Sequence, residues 1–347
     1  MKHYNASRLV LAAVTLVLSA SAASAITIDM VTVGNPGNAP DTRYNPTGFG
    51  AVGYTYQIGK FEVTAGQYTA FLNAVAKADI HGLYNFLMSD VGGCKIERSG
   101  SFGAYTYSVP TDYADRPVNI ISWGDATRFA NWLSNGQPTG GENLSTTEDG
   151  SYFLNGATSN AALVAVTRKP NATWVIPSED EWYKAAYYDP NRPGGAGYWD
   201  YATKSNTVPI SEAPPGHAEP PGSANYYSAS GFVDPLHYLT EVGAYTLSPS
   251  AYDTFDQGGN VNEWNEALIS GSMGLTRGVR GGAFNDGFNL AADKRVYQSW
   301  PQFGYPASGF RVASVASIPE PSSIALLGVG AISLFAYACG RRRKQPA

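Results

Sequence analysis

Tyr252-Asp253-Thr254-Phe255-Asp256-Gln257-Gly258-Gly259-Asn260-Val261-Asn262-Glu263-Trp264-Asn265-Glu266 gathers many oxygen donors into one bend. Asp256 and Glu263 offer carboxylates, and the carbonyls of Gly259 and Val261 lie between them. The glycine pair lets the backbone turn tightly enough to aim those carbonyls inward. Hard cations such as calcium take about six to eight oxygens from such mixtures of side chain and main chain. An ordinary Asp/Asn/Gly turn has the same composition, so the stretch on its own admits both readings.

Upstream, three segments carry helix-start signals, each after an extended apolar stretch. Tyr54 to Val63 alternates like a strand and runs into Thr64 and Gln67, a capping-box spacing, with Tyr68, Phe71, Leu72 and Val75 on one helical face. Arg116 to Ile121 reads as a buried strand end before a helix capped by Ser122 and Asp125, whose apolar face is Ala126, Phe129, Ala130 and Leu133. Trp174-Val175-Ile176-Pro177 precedes Ser178 and Glu181, and Trp182, Ala185 and Ala186 then point inward. The connections 79–115, 134–172 and 189–222 are long and rich in Gly, Asn, Ser, Thr or Pro, which marks functional or mobile loops. The pattern predicts an α+β fold of one loop-rich domain.

Composition sets the class. The chain has 347 residues, 44% apolar and 13% aromatic, enough for real cores and against general disorder. With 38 Gly and 22 Pro it is no helical bundle. Between residues 26 and 318 there are 17 basic and 27 acidic side chains, a balance of −10, so nucleic acid is not expected as a partner. Residues 1–25 read as a signal peptide: Lys2 and Arg8, an apolar run from Leu9 to Leu18, then Ala23-Ser24-Ala25 for signal peptidase. Of two cysteines, Cys339 lies in the tail, which leaves Cys94 alone in the exported portion as a buried small hydrophobe.

Standard catalytic patterns are missing. There is no Gly-x-Ser-x-Gly elbow, Walker loop or His-Glu-x-x-His helix. His81, His217 and His237 show no ligand spacing and read as surface or hydrogen-bonded residues. Glu179, Asp180 and Glu181 occupy a first helical turn, where the helix dipole favours negative charge.

At the C-terminus, Pro319-Glu320-Pro321, the apolar run Ile324 to Cys339 and Arg341-Arg342-Arg343-Lys344 resemble the PEP-CTERM sorting tails of Gram-negative bacteria. That resemblance implies an exosortase as processing partner, a cut near Pro319–Pro321 and only transient membrane contact through residues 319–347. It places the protein at the cell-envelope surface or outside the cell. The 16-residue apolar run is short for a stable span, which needs about 20.

The rest of the exported chain resembles the formylglycine-generating-enzyme, or sulfatase-modifying-factor, family, a variant of the C-type lectin fold. Phe61-Glu62-Val63-Thr64 is similar to its EVT junction, and Pro117-Val118 through Trp132 to its next block. Ile176 to Trp182 with Ala185-Ala186 is similar to LPTEAEWEYAA, and Gly259-Asn260-Val261-Asn262-Glu263-Trp264 to GNVWEW. Arg280-Gly281-Gly282-Ala283-Phe284 is similar to RGGSW, and Gly309-Phe310-Arg311 to the closing GFR. The resemblance implies one domain over 26–318 and one or two structural calcium ions. One ion falls on Asp256, Gly259, Val261 and Glu263, the other on Asn225 with Tyr226 and Asp234 with Leu236.

The same resemblance places the family's two copper-binding cysteines at Asp286 and Ala291, and its active-site serine at Ala283. Residues 280–313 contain no cysteine. Copper(I) needs soft thiolates, so no copper is expected and the family's oxidation is not. The favoured expectation is a non-catalytic ligand-binding or structural module for a glycan, peptide or envelope ligand. Tyr187, Tyr188, Tyr198, Trp199 and Tyr201 offer aromatic surface for it, or simply fill the core, which is the favoured reading for Trp199 as for Trp182. The alternative is an oxidoreductase of the formylglycine-generating type, or a diverged enzyme using Asp286, Asp293, Lys294 or Arg295 in the same cleft.

Overall fold

Each of the three capping signals starts a helix. A computed structural model describes residues 25–271, 274–287 and 289–315. The leader and the sorting tail expected from the sequence lie outside the described residues. Strands β1 (Met30–Val33) and β2 (Tyr56–Gly59) lead to α1 (Ala65–Val75). There follow β3 (Glu97–Ser99), β4 (Thr106–Ser108), α2 (Thr111–Ala114), α3 (Trp123–Ser134) and α4 (Asn160–Ala165). Next come β5 (Trp174–Val175), α5 (Glu179–Tyr187), β6 (Tyr188–Asp189), β7 (Gly197–Tyr198), β8 (Ile210–Ser211) and β9 (Ser223–Ala224). The chain then forms β10 (Asn262–Gly271), β11 (Gly274–Arg280), β12 (Val296–Ser299), β13 (Ser308–Gly309) and β14 (Ala313–Ser314).

Two four-stranded sheets organise these elements. One runs β1-β2-β14-β5, so the last strand lies between β2 and β5 and antiparallel to both. The other runs β12-β11-β10-β13. In it β10 and β11 form a bulged antiparallel pair, and β13 runs parallel to β10 with Glu263 opposite Gly309. That register brings Arg311, two residues past β13, back to the start of β10.

The core forms where α1 meets α3. Tyr68, Phe71, Leu72 and Val75 are fully buried against Phe129, Ala130 and Phe310. Phe71 lies 5.3 Å from both Phe129 and Trp132 between ring centroids, in edge and tilted contacts that favour packed aromatics. Cys94 is buried in this core as expected, and burial pushes its thiol up to about 11.

Capping is reciprocal at all three helices. Ser122 Oγ accepts from the Asp125 amide at 3.0 Å, and Asp125 Oδ2 accepts from the Ser122 amide at 2.9 Å. Both residues are buried, so water cannot replace the lost acceptor. Ser122→Ala should therefore cost about 1–2 kcal/mol, read as a lowered urea midpoint with unchanged slope.

Two expectations need correction. Residues 116–121 are buried and extended at their start but form no strand. The Val118 amide bonds to Val63 and the Ile121 amide to Ser308, so the segment changes partner within three residues and builds no ladder. Ile120 between them takes a left-handed φ of 61°. Tyr187, Tyr188 and Tyr198, expected as ligand-facing rings, are buried and packed on Trp182 and Tyr183. Trp199 and Tyr201 remain partly exposed.

Candidate functional site

The oxygen-rich bend is a hub joining distant parts of the chain. Asp253, Asp256 and Asn260 adopt left-handed φ values of 62°, 60° and 59°, conformations that Asp and Asn tolerate best among residues with a Cβ. Gly259 has a φ of 109°, and a Cβ there would stand 2.5 Å from the Asn225 carbonyl oxygen, so only glycine fits. The Phe255 amide bonds to Lys60, the Gly259 amide to Gly281, the Asn260 amide to Asn225 and the Asn262 amide to Ala307.

Inside this hub Glu263 and Arg311, both fully buried, form a bidentate pair at 2.6 and 2.7 Å. Trp182 Nε1 donates to the same carboxylate at 2.8 Å. Arg311 gives its remaining N–H groups to the carbonyls of Gly59, Lys60 and Phe255. Asp256 Oδ2 accepts from the Gly243 amide at 2.6 Å, and burial pushes the Asp256 carboxyl up to about 6. Glu62, from the β2–α1 junction, faces the same point with both carboxylate oxygens buried and without a hydrogen-bond partner. Burial first, and the neighbouring Asp256 second, raise its carboxyl well above the usual range.

The other four expected cation donors lie beside this hub. Asn225 is 2% exposed; its Nδ2 donates to the Tyr238 carbonyl and to Asn260 Oδ1, while its Oδ1 has no partner. Tyr226 is buried, and its carbonyl accepts from Ser211 Oγ at 2.6 Å. Asp234 Oδ1 accepts from the amides of Leu236 and His237, and Oδ2 pairs with His237 Nδ1 at 2.8 Å. Leu236 has an exposed side chain. Tyr238 connects the halves, since its amide bonds to Asp234 and its carbonyl to Asn225. Among the described residues, no three His, Cys, Asp or Glu side chains are grouped so that they could hold a metal. A cation here would draw on backbone carbonyls and Asn as well as carboxylates.

The expected catalytic positions follow β11 in the chain. Asp286 lines an open cleft of about 620 Å³ between residues 226–229 and 285–287. Asn289 Nδ2 donates to its Oδ2. Ala283 is fully buried beside Val261 and Leu239, and the Ala291 carbonyl accepts from the Lys294 amide. Tyr227, at the cleft, stacks edge-on against Phe232 at 4.8 Å, and Phe232 against Tyr238 at 4.9 Å; Tyr227 and Phe232 are exposed. Sequence reasoning missed these rings because no spacing links residues 227, 232 and 238.

Other flagged residues have structural partners. Glu179 bonds to Arg280 and Arg295, Asp180 accepts from the Gly50 amide, and Glu181 pairs with Arg168. Asp293 and Lys294 form an exposed ion pair. His81, His217 and His237 sit beside Glu148, Glu212 and Asp234 in three separate places.

Residues 30–316 match the sequence model of the sulfatase-modifying factor enzyme 1-like domain, and residues 317–344 that of the PEP-CTERM protein-sorting motif. No curated protein matches the chain. Among solved structures, Treponema denticola variable protein 1 is similar with a TM-score of 0.53 at 21% identity, over 84% of this chain and 96% of its own. CarF (TM-score 0.49, 20% identity, 83% and 98%) and PvdO from Pseudomonas aeruginosa (TM-score 0.41, 19% identity, 83% and 91%) are also similar. At such identities the likeness concerns the fold alone. No helix among the described residues is long and apolar enough to cross a membrane.

Proposed function

The chain belongs to the sulfatase-modifying factor enzyme 1-like domain family, and from that premise we propose that it is a non-catalytic ligand-binding module. Its PEP-CTERM motif makes it an exported, envelope-associated protein of a Gram-negative bacterium, processed by an exosortase. The observation that carries the non-catalytic reading is the thiol inventory around the cleft. Asp286 faces the open volume where the family resemblance puts a copper-binding cysteine, and no cysteine lies within residues 280–313. Cys94 is fully buried in the α1/α3 core, a poor environment for a thiolate. A carboxylate and an alanine do not make a soft-metal site.

What the cleft offers instead is a recognition surface. Tyr227 and Phe232 present exposed rings, and Asn285 and Asp286 bring hydrogen-bonding groups to the rim. Rings beside carboxamide and carboxylate groups suit a sugar or a peptide. The proposal extends to one or two structural calcium ions, held by Asp256, Gly259, Val261 and Glu263, and by Asn225, Tyr226, Asp234 and Leu236. The buried Asn225 Oδ1 and Glu62 oxygens, all without donors, support this, because such acceptors fit a bound cation. Calcium would supply charge balance and fix the loops that carry the cleft.

The presence of Asp286 in the cleft also favours a second reading, an enzyme of altered chemistry. One experiment separates the two: incubation with copper(I), oxygen and a cysteine peptide, with products read by mass spectrometry, beside glycan and peptide arrays. The expected result is no aldehyde product and a saturable ligand whose binding Tyr227→Ala weakens about tenfold or more. Turnover of the peptide would overturn the non-catalytic reading.

A further inference from the structure

Glu62 is 2% exposed, and neither of its carboxylate oxygens meets a donor. The cationic group beside it, Arg311, cannot help. Its five N–H groups are committed to Glu263 and to the carbonyls of Gly59, Lys60 and Phe255. Trp182 Nε1 is likewise given to Glu263, and the Gly243 amide to Asp256. Lys60 turns its ammonium over the rings of Phe61 and Phe255 instead.

The charges around this point do not balance. Glu62, Asp256 and Glu263 interact with one another and with the single guanidinium of Arg311. With all three carboxylates ionised, two negative charges remain in the interior, which a protein does not hold uncompensated. A divalent cation cancels that excess. Glu263 Oε2 already accepts from Arg311 and Trp182 and its Oε1 from Arg311 alone, so beside the one site left on Oε1 the oxygens free to bind a cation belong to Glu62 and Asp256.

We propose that Glu62 is a direct ligand of a divalent, calcium-like cation that it shares with Asp256 and main-chain carbonyls of the bend. The proposal rests on the calcium reading of that bend and adds to it a donor from the other end of the domain. The ion ties the β2–α1 junction to the hub. Oxygen donors of mixed origin suit calcium over magnesium, which dehydrates reluctantly and demands near-ideal octahedral geometry.

The test compares the exported protein with its Glu62→Gln and Asp256→Asn variants by calcium titration, terbium luminescence excited through Trp182, and thermal melts. Glu62→Gln should weaken calcium binding about 10–100-fold and dim the terbium signal. Its melting point should exceed that of the parent in chelator, where a stranded charge has been removed, and fall below it in calcium, where a ligand has been removed. Glu62→Asp keeps the charge and should bind between the two. Unchanged affinity in Glu62→Gln with loss in Asp256→Asn would overturn the role of Glu62 and leave the bend as a calcium site. Higher melting of Glu62→Gln in both solutions would also overturn it, marking Glu62 as merely protonated. No response to calcium or terbium in the parent would remove both readings together.

Discussion

Arg311→Met should cost more stability than any other substitution considered for this domain. The change leaves Glu263 fully buried without its counter-charge and beside two further carboxylates, Asp256 and Glu62. Breaking one partner out of a buried ion pair costs about 3–5 kcal/mol. The carbonyls of Gly59, Lys60 and Phe255 lose donors as well, and each stranded buried acceptor adds about 1–3 kcal/mol. Domains are stable by only about 5–15 kcal/mol, so the variant should be largely unfolded or close to it. Arg311→Lys keeps the charge but not the two-pronged geometry, and should fall between the parent and Arg311→Met. Urea unfolding followed by tryptophan fluorescence measures this, since Trp182 and Trp264 are both fully buried near Glu263. A midpoint for Arg311→Met within error of the parent would show that the pair contributes little.

Calcium removal should have the second largest effect. With free calcium about a hundredfold above Kd, each bound ion adds about 2.7 kcal/mol to the folded state. At about 2–4 °C per kcal/mol for a domain of this size, a chelator should lower the melting point by about 5–10 °C per ion. Calcium in excess should restore it, and magnesium should not. A melting point indifferent to chelator would remove the ions from the account, and with them the proposed charge balance at Asp256 and Glu62.

How much of this was legible depended on distance along the chain. The helices starting at Thr64, Ser122 and Ser178 were legible because a cap and its N3 partner lie three residues apart and satisfy each other locally. The tight bend from Asp256 to Asn260 was likewise legible, because its Asp, Gly and Asn residues are close in the chain. Glu62 and Arg311 are not. They reach the same point from opposite ends of the domain, through the parallel pairing of β13 with β10 and the packing of Lys60 on Phe255, which no local spacing announces. Residues 116–121 misled for the same reason, because strand identity needs a continuing partner. Tyr187, Tyr188 and Tyr198 misled because a ring's composition does not say whether it faces solvent or Trp182.

The slot between β2 and β5 has a bearing on how the protein is made. Among the described residues, 313–314 fill it, pairing with both neighbours. Until those last residues are in place, β2 and β5 each present an open ladder edge, the kind of surface that recruits neighbouring chains. The sorting motif begins at residue 317. The strand that seals the sheet ends three residues before that motif, so a chain cut short ahead of the motif by only a few residues would leave the sheet unsealed.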